Sequence, residues 1–206
     1  MPHLPAFLAF LSASILLAIT PGPGILYVLT RSLAGGRREG ILSSLGTFAG
    51  GFVHVFAAGL GLSVILAASA VAYQLVRWAG AAYLIYLGIR MIRTAGEPDS
   101  IGGKPPAGHP FPQGVLTELL NPKTALFFLS FIPQFVDAKA GAVFAQFLLL
   151  GAITVLLNSC ADIVVAIFAG PIGERLLASR RARRNQRRAT GAMMIGLGVF
   201  VAARES

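Results

Sequence analysis

Apolar residues along this chain come in six long blocks, at about 5–30, 40–68, 73–92, 114–136, 142–172 and 189–203. A helix needs about 20 consecutive apolar residues to cross a bilayer, and most of these blocks reach that length. The pattern predicts an all-α integral membrane protein with six transmembrane helices. The last block, 189–203, is short for a span and would need the bilayer to thin or its neighbours to help. The intervals are short and polar. Arg31–Arg38 reads as a basic loop, and Thr94–Gln113 as a Pro/Gly-rich linker too broken to be helical.

Two of the blocks carry breakers at membrane depth. Thr20-Pro21-Gly22-Pro23-Gly24 interrupts the first, and Asn121-Pro122-Lys123 interrupts the fourth. Proline lacks a backbone donor and disfavours helical geometry in the residue before it. Glycine adds conformational freedom and no side chain. Backbone groups freed this way are tolerated only where protein, or a cavity that protein lines, satisfies them. The linker 94–113 separates a first half of about 1–93 from a second of about 114–206, both within one transmembrane domain. Three spans per half make the halves run in opposite directions. Two inverted three-helix repeats with broken helices in spans 1 and 4 are the sequence mark of a transporter with its site near the midplane.

Composition supports the membrane reading. The chain is 55% hydrophobic and only 12% charged, with a mean hydropathy of +0.74, whereas soluble domains are about a quarter charged. The net charge of +9 lies mainly in the gaps. The intervals after spans one, three and five hold 3, 3 and 7 Lys/Arg, against Arg77, Lys139 and Arg204 on the other side. By the positive-inside rule the basic loops are cytoplasmic and both termini periplasmic. Orientation accounts for the arginine run Arg175–Arg188, so no nucleic-acid partner is called for. Leu4–Ile19 has no Lys or Arg before it and a poor cleavage context after it, so a cleaved signal is not expected. The single Cys160 excludes an internal disulfide or dithiol relay. His3, His54 and His109 are scattered, so no metal or other cofactor is expected.

Small residues recur in the second block. Gly46 and Gly50 form a small-xxx-small pair that lets helices approach closely, with Gly59 and Gly61 further on. His54 lies between them. A hydrogen bond to a neighbouring helix is its ordinary role, and proton handling the sharper one. Trp78, Tyr83 and Tyr86 suit membrane interfaces.

Together the motifs resemble those of the LysE/RhtB amino-acid exporters over nearly the whole chain. The resemblance rests on Ala18-Ile19-Thr20-Pro21-Gly22-Pro23 with the Arg/Gly interval to Gly40, and on Gly80–Arg90 in the third span. It also rests on Asn121-Pro122-Lys123 and on Gly196-Leu197-Gly198. It implies proton-coupled export of amino acids or similar small polar metabolites across the bacterial inner membrane. The partners are then the substrate and the lipid bilayer, and a homodimer stays open. A membrane-embedded redox carrier, a membrane enzyme and a channel-forming subunit are the competing classes. Cys160 alone argues against the first, and no nucleophile–base pair supports the second.

An amino acid is a zwitterion, so its site needs partners for a carboxylate and an ammonium. Half-helix N-termini at Gly24 and Lys123 present N–H groups to a carboxylate. Lys123 either adds full charge there or snorkels to the cytoplasmic interface. Pro21, Gly22, Pro23, Gly24, Asn121, Pro122 and Lys123 therefore make up the expected substrate site. Asn158 and Asp162, one turn apart on span five, complete it. A mid-bilayer acid costs about 2.5–3.5 kcal/mol on insertion scales and usually faces a cavity, so Asp162 is the expected ammonium partner or proton carrier, the alternative being a neutral structural acid bonded to a facing helix, with His54 a second proton-coupling candidate. Glu118 reads as interfacial. Asp162→Asn is expected to insert and fold normally yet abolish export in an efflux assay; wild-type efflux from that variant would remove Asp162 from the mechanism.

Overall fold

The computed structural model of the chain describes residues 4–68, 70–96, 108–137, 140–169 and 179–203. Among the described residues every regular element is helical. Helix α1 spans Leu4–Ile19, α2 Pro23–Ala68, α3 Ala70–Arg93 and α4 Pro110–Leu119. Helix α5, Pro122–Leu126, runs on through a π-helical turn at Phe127–Phe131 and a 3-10 turn at Ile132–Phe135. Helix α6 is Val143–Ile167, and α7 is Arg180–Ala203. Leu4–Gly61 and Val143–Ile167 contain stretches long and apolar enough to cross a membrane, and α4 with Pro122–Phe135 does so as a pair bent by 45°. Large apolar side chains such as Leu8, Phe56, Leu60, Leu116 and Leu156 are exposed around the outside, as lipid contact requires.

Three boundaries differ from the sequence expectation. Arg31–Arg38 is not a loop: helix continues on both sides, and Gly36 alone turns the chain, at φ 80 and ψ −178, a conformation glycine enters without steric cost. Arg31 is buried because it has partners there. It donates to Tyr27 Oη, Glu39 Oε2, the Gly108 carbonyl and Gln113 Oε1. Helix α4 starts at Pro110, inside the expected linker; proline suits a first helical turn, whose N–H has no intrahelical partner. Helix α7 starts at Arg180, so the arginine run is largely helical. Its 24 residues rise about 1.5 Å each, but the added turns are arginine-rich, so its apolar stretch remains short for a span and the helix is not among those apolar enough to cross a membrane. Arg175, Lys104, Lys139 and Arg204 lie outside the described residues.

Close backbone approach sets the packing. A Cβ added at Gly46 would collide with the Phe111 carbonyl oxygen, and one at Gly114 would stand 2.5 Å from that of Ser43. Gly50 lies against Val115 and Glu118 in the same way. This seam presses α2 onto α4. On its other side α2 meets α6, where Gly51 faces Val155, Gly59 faces Phe147, and Gly151 faces Val55. Helices α3 and α7 form a second pair. Gly88 sits against the Gly191 carbonyl and Ile195, and Gly198 against the Ala81 carbonyl and Ile85. Phe10, Phe127, Phe128, Phe131, Phe135 and Phe147 fill the centre, with Phe127 and Phe131 stacked at 4.6 Å. Gly46→Ala is expected to cost about 1–3 kcal/mol through overpacking, read as a lower melting temperature in detergent. Gly61→Ala, which meets nothing within 4 Å, is expected to stay within about 0.5 kcal/mol of wild type.

Candidate functional site

The two helix breaks meet. After α1 ends at Ile19, the chain passes through Thr20–Gly22 and resumes as helix at Pro23, with the Leu26 N–H donating to the Gly22 carbonyl. Helix α4 ends at Leu119 and α5 resumes at Pro122, capped by Asn121, whose Oδ1 accepts from the Lys123 N–H at 3.1 Å. Both resumed helices carry proline in the first turn. At each break a side chain from the opposite half bonds the carbonyls, of which those of Leu17 and Glu118 also accept the Thr20 and Asn121 N–H groups. Lys123 Nζ donates to the Leu17 carbonyl at 3.0 Å and to that of Thr20 at 2.9 Å. The Glu118 carbonyl lies 2.9 Å from His54 Nε2; a carbonyl only accepts, so the imidazole donates there.

Close contact explains the glycines. A Cβ at Gly22 would come within 3.1 Å of Lys123 Cε, and one at Gly24 within 2.7 Å of Glu118 Oε2. Neither residue has positive φ, whereas Gly36, Gly108 and Gly141 do. The freedom expected of Gly22 and Gly24 is not used; what matters is the missing side chain.

Around the junction lies a small cavity of about 30 Å³. Ala18, Gly24 and Ile25 line it from the first break, and Glu118, Asn121, Lys123 and Thr124 from the second. Thr47, Phe48 and Gly51 of α2 and Val155, Asn158, Ser159 and Asp162 of α6 close it. Both Glu118 oxygens have donors: Thr124 Oγ1 reaches Oε1 at 2.6 Å and Asn121 Nδ2 reaches Oε2 at 3.0 Å. Asp162 Oδ2 lies 2.8 Å from Thr47 Oγ1, which is also 2.9 Å from the Ser44 carbonyl. A hydroxyl has one proton and cannot donate to both. With Asp162 ionised, Thr47 donates to it. With Asp162 protonated, the acid donates to Thr47, whose own proton turns to Ser44. The geometry serves either form without moving a heavy atom.

Of the residues singled out in the sequence, Gly24, Asn121, Lys123, Asn158 and Asp162 line this cavity. Pro21, Gly22, Pro23 and Pro122 line a second cavity of about 370 Å³ on the other side of Lys123. His54 lines neither; it stacks on Phe128 behind Glu118. Lys123 is 8% exposed, so it does not snorkel. Glu118 is the main correction. It is 6% exposed and inside the site, not interfacial, because Asn121 and Thr124 fold back onto its carboxylate while His54 holds its carbonyl from α2. Its spacing three residues before Asn121 was the available signal. Thr47 carried none, since nothing local says which way a threonine in a small-residue helix points.

A family model described as LysE type translocator matches residues 15–205. The chain is 30% identical over 200 residues to a homoserine/homoserine lactone efflux protein of Salmonella typhimurium, covering 95% of each. The protein of the same description from Salmonella typhi matches to the same extent. An uncharacterized membrane protein of Vibrio cholerae is 29% identical over 202 residues, 95% of this chain and 96% of that one. No solved structure matches the chain.

Asn121 both caps α5 and holds Glu118. Asn121→Ala is expected to lose about 1–2 kcal/mol of stability, and Asn121→Ser, which keeps a capping oxygen, markedly less; thermal unfolding in detergent compares the two.

Proposed function

The chain belongs to the LysE type translocator family and is a transporter rather than an enzyme; from that premise we propose that it exports small amino acids and their derivatives, with proton exchange, through the cavity between the two helix breaks. The observation that carries this reading is the convergence of both interrupted helices and two carboxylates, Glu118 and Asp162, on one small space. Two carboxylates against the single Lys123 leave the lining biased towards a cation. That suits the ammonium of an amino acid. It also suits the two compounds in the relatives' description: homoserine is a zwitterion, its lactone has no free carboxylate, and the amine is what they share.

Repeat symmetry supports the same reading. Leu84-Ile85-Tyr86-Leu87-Gly88 of α3 matches Met194-Ile195-Gly196-Leu197-Gly198 of α7 at an offset of 110 positions. Under that offset the contact of Gly88 with Gly191 and Ile195 becomes that of Gly198 with Ala81 and Ile85, and both contacts are made. An inverted pair of three-helix repeats generates such equivalence, with a substrate site expected on the axis between halves. A cavity of about 30 Å³ has room for about one water, so an amino acid enters only when the halves part.

Asp162 is the proposed proton carrier because its hydrogen-bond partners accommodate both protonation states. One charge crossing about 100 mV is worth about 2.3 kcal/mol, roughly a fiftyfold concentration ratio. The basic helix ends face the cytoplasm in this reading, and the membrane is the inner one. The test is counterflow into proteoliposomes with labelled homoserine and other small amino acids, with and without an imposed pH gradient. Wild type is expected to exchange substrate and to be driven by the gradient; Glu118→Gln and Asp162→Asn are expected to lose at least about tenfold in rate, as removal of a charged hydrogen-bond partner implies. Flux indifferent to the pH gradient would support a channel instead.

A further inference from the structure

The second cavity has its own electrostatic character. It lies between α3, α7 and the two proline breaks, at about 370 Å³. Arg90, Arg187 and Lys123 line it, with Thr94 and Thr190 as uncharged polar neighbours, and among the described residues no carboxylate lines it. The small cavity beyond Lys123 has the opposite bias, with Glu118 and Asp162 in its wall. Lys123 belongs to both walls. Its side chain lies against Gly22 and is anchored on the Leu17 and Thr20 carbonyls, so it forms the partition between the two spaces.

Placement and chemistry suit a negatively charged group. Arg187 is held at the cavity by donating from Nη1 to the Thr94 carbonyl at 2.8 Å. Arg90, four residues before Thr94, is exposed to the same space. A guanidinium presents its donors in a planar fork that matches a carboxylate. The vestibule is far larger than the inner cavity and needs no separation of the halves to admit a small metabolite. A zwitterion has one end for each cavity: its carboxylate fits the cationic vestibule and its ammonium the acidic inner space.

We propose that this vestibule is a carboxylate-recognising station, in which Arg90 and Arg187 hold the substrate's carboxylate before Lys123 and the proline breaks let it through to Glu118 and Asp162. The inference rests on the exporter reading and adds a selectivity role to two residues outside the inner site. It distinguishes substrates with a free carboxylate from those without one. Homoserine would engage both stations and homoserine lactone only the inner one.

The test uses the full chain in proteoliposomes and counterflow of labelled homoserine and of labelled homoserine lactone, at about pH 6, below the α-amino range. In Arg90→Gln and in Arg187→Gln the ratio of apparent affinities is expected to shift towards the lactone by about tenfold, the loss of one charged hydrogen bond to the carboxylate. Arg90→Lys, which keeps the charge without the fork, is expected to fall between. Equal losses for both substrates would overturn the proposal, since the arginines would then serve only the shape of the protein. A shift that vanishes in vesicles of pure phosphatidylcholine and returns with phosphatidylglycerol would also overturn it, because the anion would be a lipid phosphate. Wild-type protein that exchanges neither compound nor any other small amino acid would instead overturn the exporter reading itself.

Discussion

A helix interrupted inside a bilayer exposes carbonyls that lipid cannot satisfy. In this protein each interruption is closed by the opposite half of the chain. Lys123, at the start of α5, bonds the carbonyls at the end of α1. His54, on α2, adds a second donor to the Glu118 carbonyl, which also accepts the Asn121 N–H. Asn121 caps the helix that follows. These cross-half bonds are made only while the breaks face each other, and the cavity lies between them.

Bringing them together requires unusually close helices. Lipid tails are as apolar as leucine, so helix association in a membrane depends on packing and hydrogen bonds more than on the hydrophobic effect. Gly46, Gly50 and Gly114 remove the side chains that would keep α2 from α4. Gly88, Gly191 and Gly198 do the same between α3 and α7. The phenylalanines from Phe127 to Phe147, joined by Phe10, fill what the glycines leave open. Near the turn at Gly36, Arg31 ties Glu39 of α2 to the start of α4 through Gln113 and the Gly108 carbonyl.

The two cavities differ in charge. The outer cavity is lined by cations and the inner one by two acids with Lys123 between them. On the proposed path a zwitterion would meet complementary charge at both of its ends in turn. Because Lys123 is both the partition and the anchor of α1, opening the partition loosens the break that it stabilises. In the proposed mechanism gate and structural tie are one side chain, which would couple passage to a rearrangement of the halves.

Much of this was legible in the sequence because it follows from local chemistry. Block length and low charge dictate membrane helices, proline dictates the breaks at Pro21–Pro23 and Pro122, and a glycine pattern dictates close packing. Asp162 stood out because an acid amid apolar residues is costly to insert unless polar partners or a cavity receive it. What depends on distant residues was not legible. Arg31 read as a loop residue because its partners Gln113 and Gly108 lie some 80 positions away. Glu118 read as interfacial, and the choice of Lys123 between lipid headgroups and the α1 carbonyls was undecided, since a long side chain's direction depends on what faces it. The sequence alone determined where the helices must break. Only the tertiary structure decided which side chain closes each break, because hydrogen-bond partners are selected by proximity in space and not along the chain.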